Sequence, residues 1–122
     1  MKHLKKLSVI ACLCLASTMA HAGSYQGYVT QIIPSTSNGM AHIILSNGAF
    51  QPGFPSSCPH ENNQMIYSID LSTATGKALF DAALSAKENG TLTYVYGNGS
   101  CAPRAPVPPT GNTEVVVYLG IK

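Results

Sequence analysis

QMIYSIDL (residues 64–71), ATGKALFDAALSAKE (74–88) and TLTYVYG (91–97) are the segments whose reading decides the fold. In the first, Met65, Tyr67, Ile69 and Leu71 share one face. Gln64, Ser68 and Asp70 share the other, with Ile66 as the exception. This is the period-two pattern of a strand with one buried face. Ser72 or Thr73 then offers a helix N-cap. Leu79, Ala82, Ala83 and Ala86 follow a helical stripe, with Phe80 and Leu84 beside it. Asn89-Gly90 is a fitting stop, because glycine adopts the left-handed conformation that ends helices. TLTYVYG returns to the β-branched and aromatic residues of a strand.

On the N-terminal side, YQGYVTQII (25–33) is a first strand that ends at Pro34, and 34–39 is turn chemistry. MAHIILS (40–46) is a second strand, which Asn47-Gly48 is expected to stop. Residues 49–63 carry Pro52, Gly53, Pro55 and Pro59 and read as a long loop holding Cys58. On the C-terminal side, residues 98–112 form a loop with Cys101 and prolines at 103, 106, 108 and 109. TEVVVYLGI (113–121) is the fifth strand. An α+β sandwich can use this order. So does the five-stranded Greek-key barrel of the OB-fold, with one helix between strands three and four. The reading is therefore a mostly β (α+β), OB-like barrel forming one domain over 23–122, with no internal repeat.

The first residues have a different character. MKHLKK is basic, Leu7–Ala20 contains no charged residue, and Ala20-His21-Ala22 is a small-x-small site. These are the parts of a signal peptide over 1–22, cleaved after Ala22, which places the mature chain in the periplasm or outside the cell. The apolar run is too short to span a bilayer, and no later segment is long and apolar enough. Val9-Ile10-Ala11-Cys12 loosely resembles a lipoprotein box, but it would leave only Leu7–Ala11 as the apolar core. Loss of Lys2, Lys5 and Lys6 leaves Lys77, Lys87, Arg104 and Lys122 against Glu61, Asp70, Asp81, Glu88 and Glu114. The formal charge of +2 thus belongs to the leader, and no basic patch remains for nucleic-acid phosphates.

Cys12 and Cys14 leave with the leader. In an oxidising compartment the remaining Cys58 and Cys101 are expected to pair, the alternative being two free buried thiols. The bridge would close a loop of about 44 residues, worth roughly 4 kcal/mol in a chain-entropy account. Cys58-x-His60, with Cys101 and His42 elsewhere, lacks zinc-ligand spacing, so neither metal nor cofactor is expected. His60 and Glu61 lie near Ser56 and Ser57, but in one Pro-rich loop, a poor platform for a preorganised catalytic site. No G-x-S-x-G, H-E-x-x-H or phosphate-cradling loop occurs. The chain is read as non-catalytic.

Six tyrosines stand against no tryptophan. Tyrosine rings stack on sugar faces and offer a hydroxyl handle, although tyrosine is also a good strand residue. Tyr67, in phase with Met65 and Ile69, reads as core. His42 reads as a surface or barrel-face residue. In an OB-fold the usual binding surface is the face of strands two and three with the loops joining strands one to two and four to five. Candidate ligand-binding residues are accordingly Tyr28, Ser37, Asn38, His42, Tyr94, Tyr96 and Arg104.

GKALFDAALSAKENGTLTYVYGNGSC (76–101), preceded by a cysteine-bearing loop and an alternating strand, resembles small secreted bacterial OB-fold proteins. Among them are the B subunits of AB5 toxins of the subtilase-cytotoxin and typhoid-toxin type. The resemblance is close over 76–101 and extends over 25–121 as a pattern of elements. It implies a non-enzymatic domain that forms a homo-oligomeric ring of five and binds glycans; a small periplasmic relative of the fold, with no toxin partner, fits the same residues equally well. A Pro-rich loop stands where those subunits carry an aromatic-rich segment, and no glycan-site residue maps position by position. The expected function is an exported binding module for a glycan or a protein. The alternatives are a periplasmic inhibitor or immunity-type protein that probes a partner enzyme with the Pro-rich loop, and a small hydrolase. Ile43-Ile44-Leu45 and Val115-Val116-Val117 would be sticky edges if left unpaired.

Overall fold

The computed structural model describes residues 22–34, 39–60, 63–104 and 112–122. Six strands and one helix follow in the order β1 (Ser24–Pro34), β2 (Met40–Phe50), β3 (Gln64–Asp70), α1 (Ala74–Asn89), β4 (Leu92–Gly97), β5 (Ala102–Pro103) and β6 (Asn112–Ile121). The strands are ordered β3-β2-β1-β4-β6-β5, and a parallel pairing of β3 with β6 closes the ring. Tyr67 lies opposite Glu114 and Ser68 opposite Val115 at that closure. The result is an OB-like Greek-key barrel of five long strands with the helix between β3 and β4.

β2 runs past its expected stop. Asn47 takes a positive φ of 58°, which asparagine tolerates better than most residues. Pairing to β1 then resumes at Ala49 and Phe50, with register shifts between Gln26 and Tyr28 and between Val29 and Gln31. Such bulges bend and coil a long hairpin, which lets it take part in two sides of a small barrel. The loop before β3 therefore starts only after Phe50, and β5 is a short addition inside the loop after β4. Ile43, Ile44 and Leu45 are not edge residues, because β2 is paired on both sides.

The alternating residues of β3 point as their period dictates. Met65, Tyr67 and Ile69 are fully buried in the core with Tyr25, Val29, Ile43, Leu45, Val95 and Val116. Ile66 joins Ile44 and Ile33 in a separate apolar cluster, which explains its break of the pattern. Thr73 caps α1, its hydroxyl accepting from the Gly76 amide at 2.9 Å. Gly90 ends the helix at φ 59°, its N–H directed at the Ala86 and Lys87 carbonyls. The helix packs on β1, β3 and β6, burying Ala83 and Ala86 with Leu79 and Phe80 against the core. Leu84 faces solvent. Cys58 and Cys101 form the disulfide, with Cα atoms 5.3 Å apart. It ties the loop before β3 to the loop after β4.

Candidate functional site

The barrel presents two outer faces of opposite character. On β2 and β3, His42 and Ser68 are register partners, and both are fully buried. His42 Nδ1 and the Ser68 hydroxyl are 3.0 Å apart, and Ser68 also hydrogen-bonds the buried Thr113 hydroxyl. Burial pushes the His42 pKa below its ordinary value, because a charged imidazole loses its hydration there. Its Nε2 has no hydrogen-bond partner among the described residues. His42 therefore stands on the barrel face, but its reading as a surface residue is corrected: full burial leaves it no surface to offer a ligand. It is a buried outer-face histidine whose charged form its surroundings disfavour. Although Ser68 and His42 have the spacing of a nucleophile and base, neither reaches solvent.

The second face lies on β1, β4 and β6. The register sets Tyr28 beside Leu92, Gln26 beside Tyr94 and Ser24 beside Tyr96. It then sets Tyr96 beside Tyr118 and Tyr94 beside Gly120. Because side chains two apart share a face, Tyr28, Gln26, Leu92, Tyr94, Tyr96 and Tyr118 form one surface. The Tyr118 ring is 6.0 Å from that of Tyr94 and 5.6 Å from that of Tyr96. The hydrogen bond with Tyr94 raises the Tyr118 pKa above its ordinary value, and the neighbouring charge adds to this. Gly120 lets the Tyr94 ring lie across it, since a Cβ at that position would meet the end of that ring and displace it. Val117, at the register shift beside Tyr118, adds an exposed apolar side chain.

At one end of this face the surface dips into a pocket of about 370 Å³, lined by Gln26, Tyr28, Asn47, Phe50, Gln51, Pro52 and Leu92 with the Gly48–Ala49 backbone. The long β1–β2 hairpin builds its floor. Tyr25 braces that hairpin from inside, its hydroxyl accepting from the Gly48 N–H at 3.2 Å and its ring set edge-on to Phe50 at 5.2 Å. The Tyr96 hydroxyl donates to Gln51 Oε1 at 3.2 Å, joining the tyrosine row to the pocket rim. Among the described residues the lining holds three amide side chains, one phenol and no charged group. Its size falls in the range of small-ligand pockets.

Of the sequence-derived candidates, Tyr28 lines the pocket, Tyr96 holds its rim, and Tyr94 stands in the adjoining row. Arg104 is turned toward its own chain, its guanidinium donating to the Ser100 and Thr113 carbonyls. Ser37, Asn38, Glu61 and residues 105–111 of the Pro-rich loop lie outside the described residues, as does the predicted leader up to residue 21. Two of the loop residues weighed for hydrolysis are placed differently. Ser56 is buried and donates to Glu114, whereas His60 is exposed and packs edge-on against Phe50 at 4.7 Å. Among the described residues no cluster of His, Cys, Asp or Glu is placed to hold a metal. No helix there is long and apolar enough to cross a membrane.

Sequence reasoning missed Gln26, Asn47 and Gln51, three amides scattered over a strand, a bulge and a loop. It also missed Glu114, which is fully buried. Glu114 accepts from the Gly23 N–H at 3.1 and 3.2 Å through its two oxygens, from the Gly99 N–H at 2.7 Å and from Ser56. Its charge and that of Tyr25 add to burial in pushing the Tyr67 pKa far up. The available signal was phase, since Glu114 lies two residues before the core residue Val116. No protein-family model, curated protein or solved structure matches the chain.

Proposed function

We propose that this chain is an exported, non-catalytic binding module and that its ligand is a neutral glycan. The tyrosine face of β1, β4 and β6 carries the reading: it runs into a mostly apolar pocket that holds three amides and, among the described residues, no charged side chain. A pyranose ring presents apolar C–H faces and equatorial hydroxyls. Exposed phenol rings suit the first, and Gln26, Asn47 and Gln51 suit the second. An anionic ligand would call for a cation in the lining, and the lining holds none. The resemblance to toxin B subunits points the same way and extends the proposal to a ring of five. The inhibitor reading rests on the Pro-rich loop, and the described end of that loop spends its arginine on its own carbonyls.

The test is a panel of neutral and sialylated oligosaccharides, read by calorimetry on the mature protein. Neutral sugars are expected to bind, and Tyr28→Ala and Gln51→Ala are each expected to weaken binding by about tenfold or more. Binding that both substitutions leave untouched, or no binding across the panel, overturns the proposal. Light scattering on the same sample reads the assembly, with a monomer counting against the ring.

A further inference from the structure

The Glu114 carboxylate occupies a position that the tyrosine face does not explain. It is fully buried, and burying a charge is costly unless it is paired. Each of its donors named above is neutral: two backbone amides and the Ser56 hydroxyl. One of those amides belongs to Gly23, and Gly23 is the residue that follows Ala20-His21-Ala22. Gly23 is itself buried. A Cβ there would collide with Glu114 Oε2 and with the Ser56 backbone. Its carbonyl is fixed from the other side, accepting from the Tyr67 hydroxyl at 3.1 Å and the Gly97 N–H at 2.9 Å. Gly97 in turn leaves no room for a side chain beside Glu114.

We infer that Glu114 is the built seat for the α-ammonium of Gly23, so that removal of the leader completes the fold by creating a buried ion pair. The inference rests on the reading of residues 1–22 as a leader and is independent of the glycan proposal. An export peptidase hydrolyses the Ala22–Gly23 peptide bond with one water, giving the Ala22 carboxylate and the Gly23 amine, which protonates at neutral pH. In the uncut chain the Gly23 nitrogen offers one neutral N–H to the two Glu114 oxygens. In the cut chain the same nitrogen would offer three N–H donors and a full positive charge to those oxygens. The charge that was costly to bury then has a counter-ion, and both are held by a neutral cage. The requirement for glycine at 23 follows, since this amine must enter between Glu114 and Ser56 without a side chain.

The experiment starts from the full chain exported by its own leader, with the product's mass measured first. A product beginning at Gly23 is expected, and one beginning elsewhere overturns the inference. An alanine inserted after Ala22 then gives an exported chain beginning Ala-Gly, verified by mass. It keeps the Gly23 amide but moves the ammonium by one residue. In denaturant titrations this insertion is expected to lower the folding equilibrium constant by about tenfold or more with Glu114 in place, and by less than about twofold in Glu114→Gln. Equal effects in the two backgrounds overturn the inference. If Glu114→Gln does not fold, reductive methylation of the unmutated mature chain decides. The Gly23 amine should label far more slowly than Lys77, Lys87 and Lys122 in the native state and readily once unfolded. An α-amine that labels like the lysines in the native protein overturns the ion pair.

Discussion

The outer face of β2 and β3 and the outer face of β1, β4 and β6 are made from similar strands with similar alternation, yet one is sealed and the other open. On the sealed side, His42, Ser68 and Thr113 hydrogen-bond in a chain and none is exposed. On the open side, Tyr28, Val117 and Tyr118 are exposed at 38%, 56% and 49%. Polar residues on the first face serve the fold, and aromatic residues on the second stay exposed, the surface on which the glycan proposal rests. The face most used for binding in this architecture is therefore the one this chain closes. Residue type alone does not tell a binding face from a structural one, because accessibility is decided by what the closed ring brings alongside.

The contrast makes graded predictions. The largest effect belongs to the sealed interior. Glu114→Ala strands the Gly23 and Gly99 amides and the Ser56 hydroxyl. It should lower the unfolding free energy by about 3–5 kcal/mol in denaturant melts. His42→Ala removes a buried ring and one partner of Ser68 and should lower it by about 2–3 kcal/mol. His42 also sets a pH dependence. Its folded pKa lies below the unfolded value, so the unfolded chain takes up the proton first. The stability it contributes is fully present above about pH 6.5, the unfolded value, and is lost as pH falls below that toward the folded pKa. In His42→Gln this part of the slope should vanish, and an unchanged slope would place the effect elsewhere.

On the open face the ordering reverses. Tyr28→Ala should cost less than about 1 kcal/mol of stability while weakening glycan binding about tenfold or more. A large loss of stability with no loss of binding would make that face structural too. The smallest effect is expected at Leu84, the solvent-facing residue of α1, where Leu84→Gln should change stability by no more than about 0.5 kcal/mol.

Much of the barrel was legible because periodicity and punctuation are local. The alternation of 64–71, the Thr73 cap and the Gly90 stop each follow from neighbouring residues. The extension of β2 was not, because Asn47-Gly48 reads as a stop until a bulge absorbs the positive φ of Asn47. The burial of His42 and Ser68 was also hidden. They alternate correctly away from the core, and their cover comes from residues distant in sequence, Thr113 being one. For the candidate site, Tyr28, Tyr94 and Tyr96 were visible as aromatic residues on strands. Their union into one face depends on the β1–β4 and β4–β6 registers, which no local pattern encodes. Gln26, Asn47 and Gln51 meet only through the bulged hairpin.

The most direct test of the central claim is an amide chemical-shift map of the mature protein titrated with the neutral oligosaccharide that binds best. Saturable shifts are expected at Gln26, Tyr28, Asn47, Gln51, Tyr94 and Tyr118, with His42 and Ser68 unmoved. Shifts confined to the β2–β3 face, or none at saturating sugar, would contradict it.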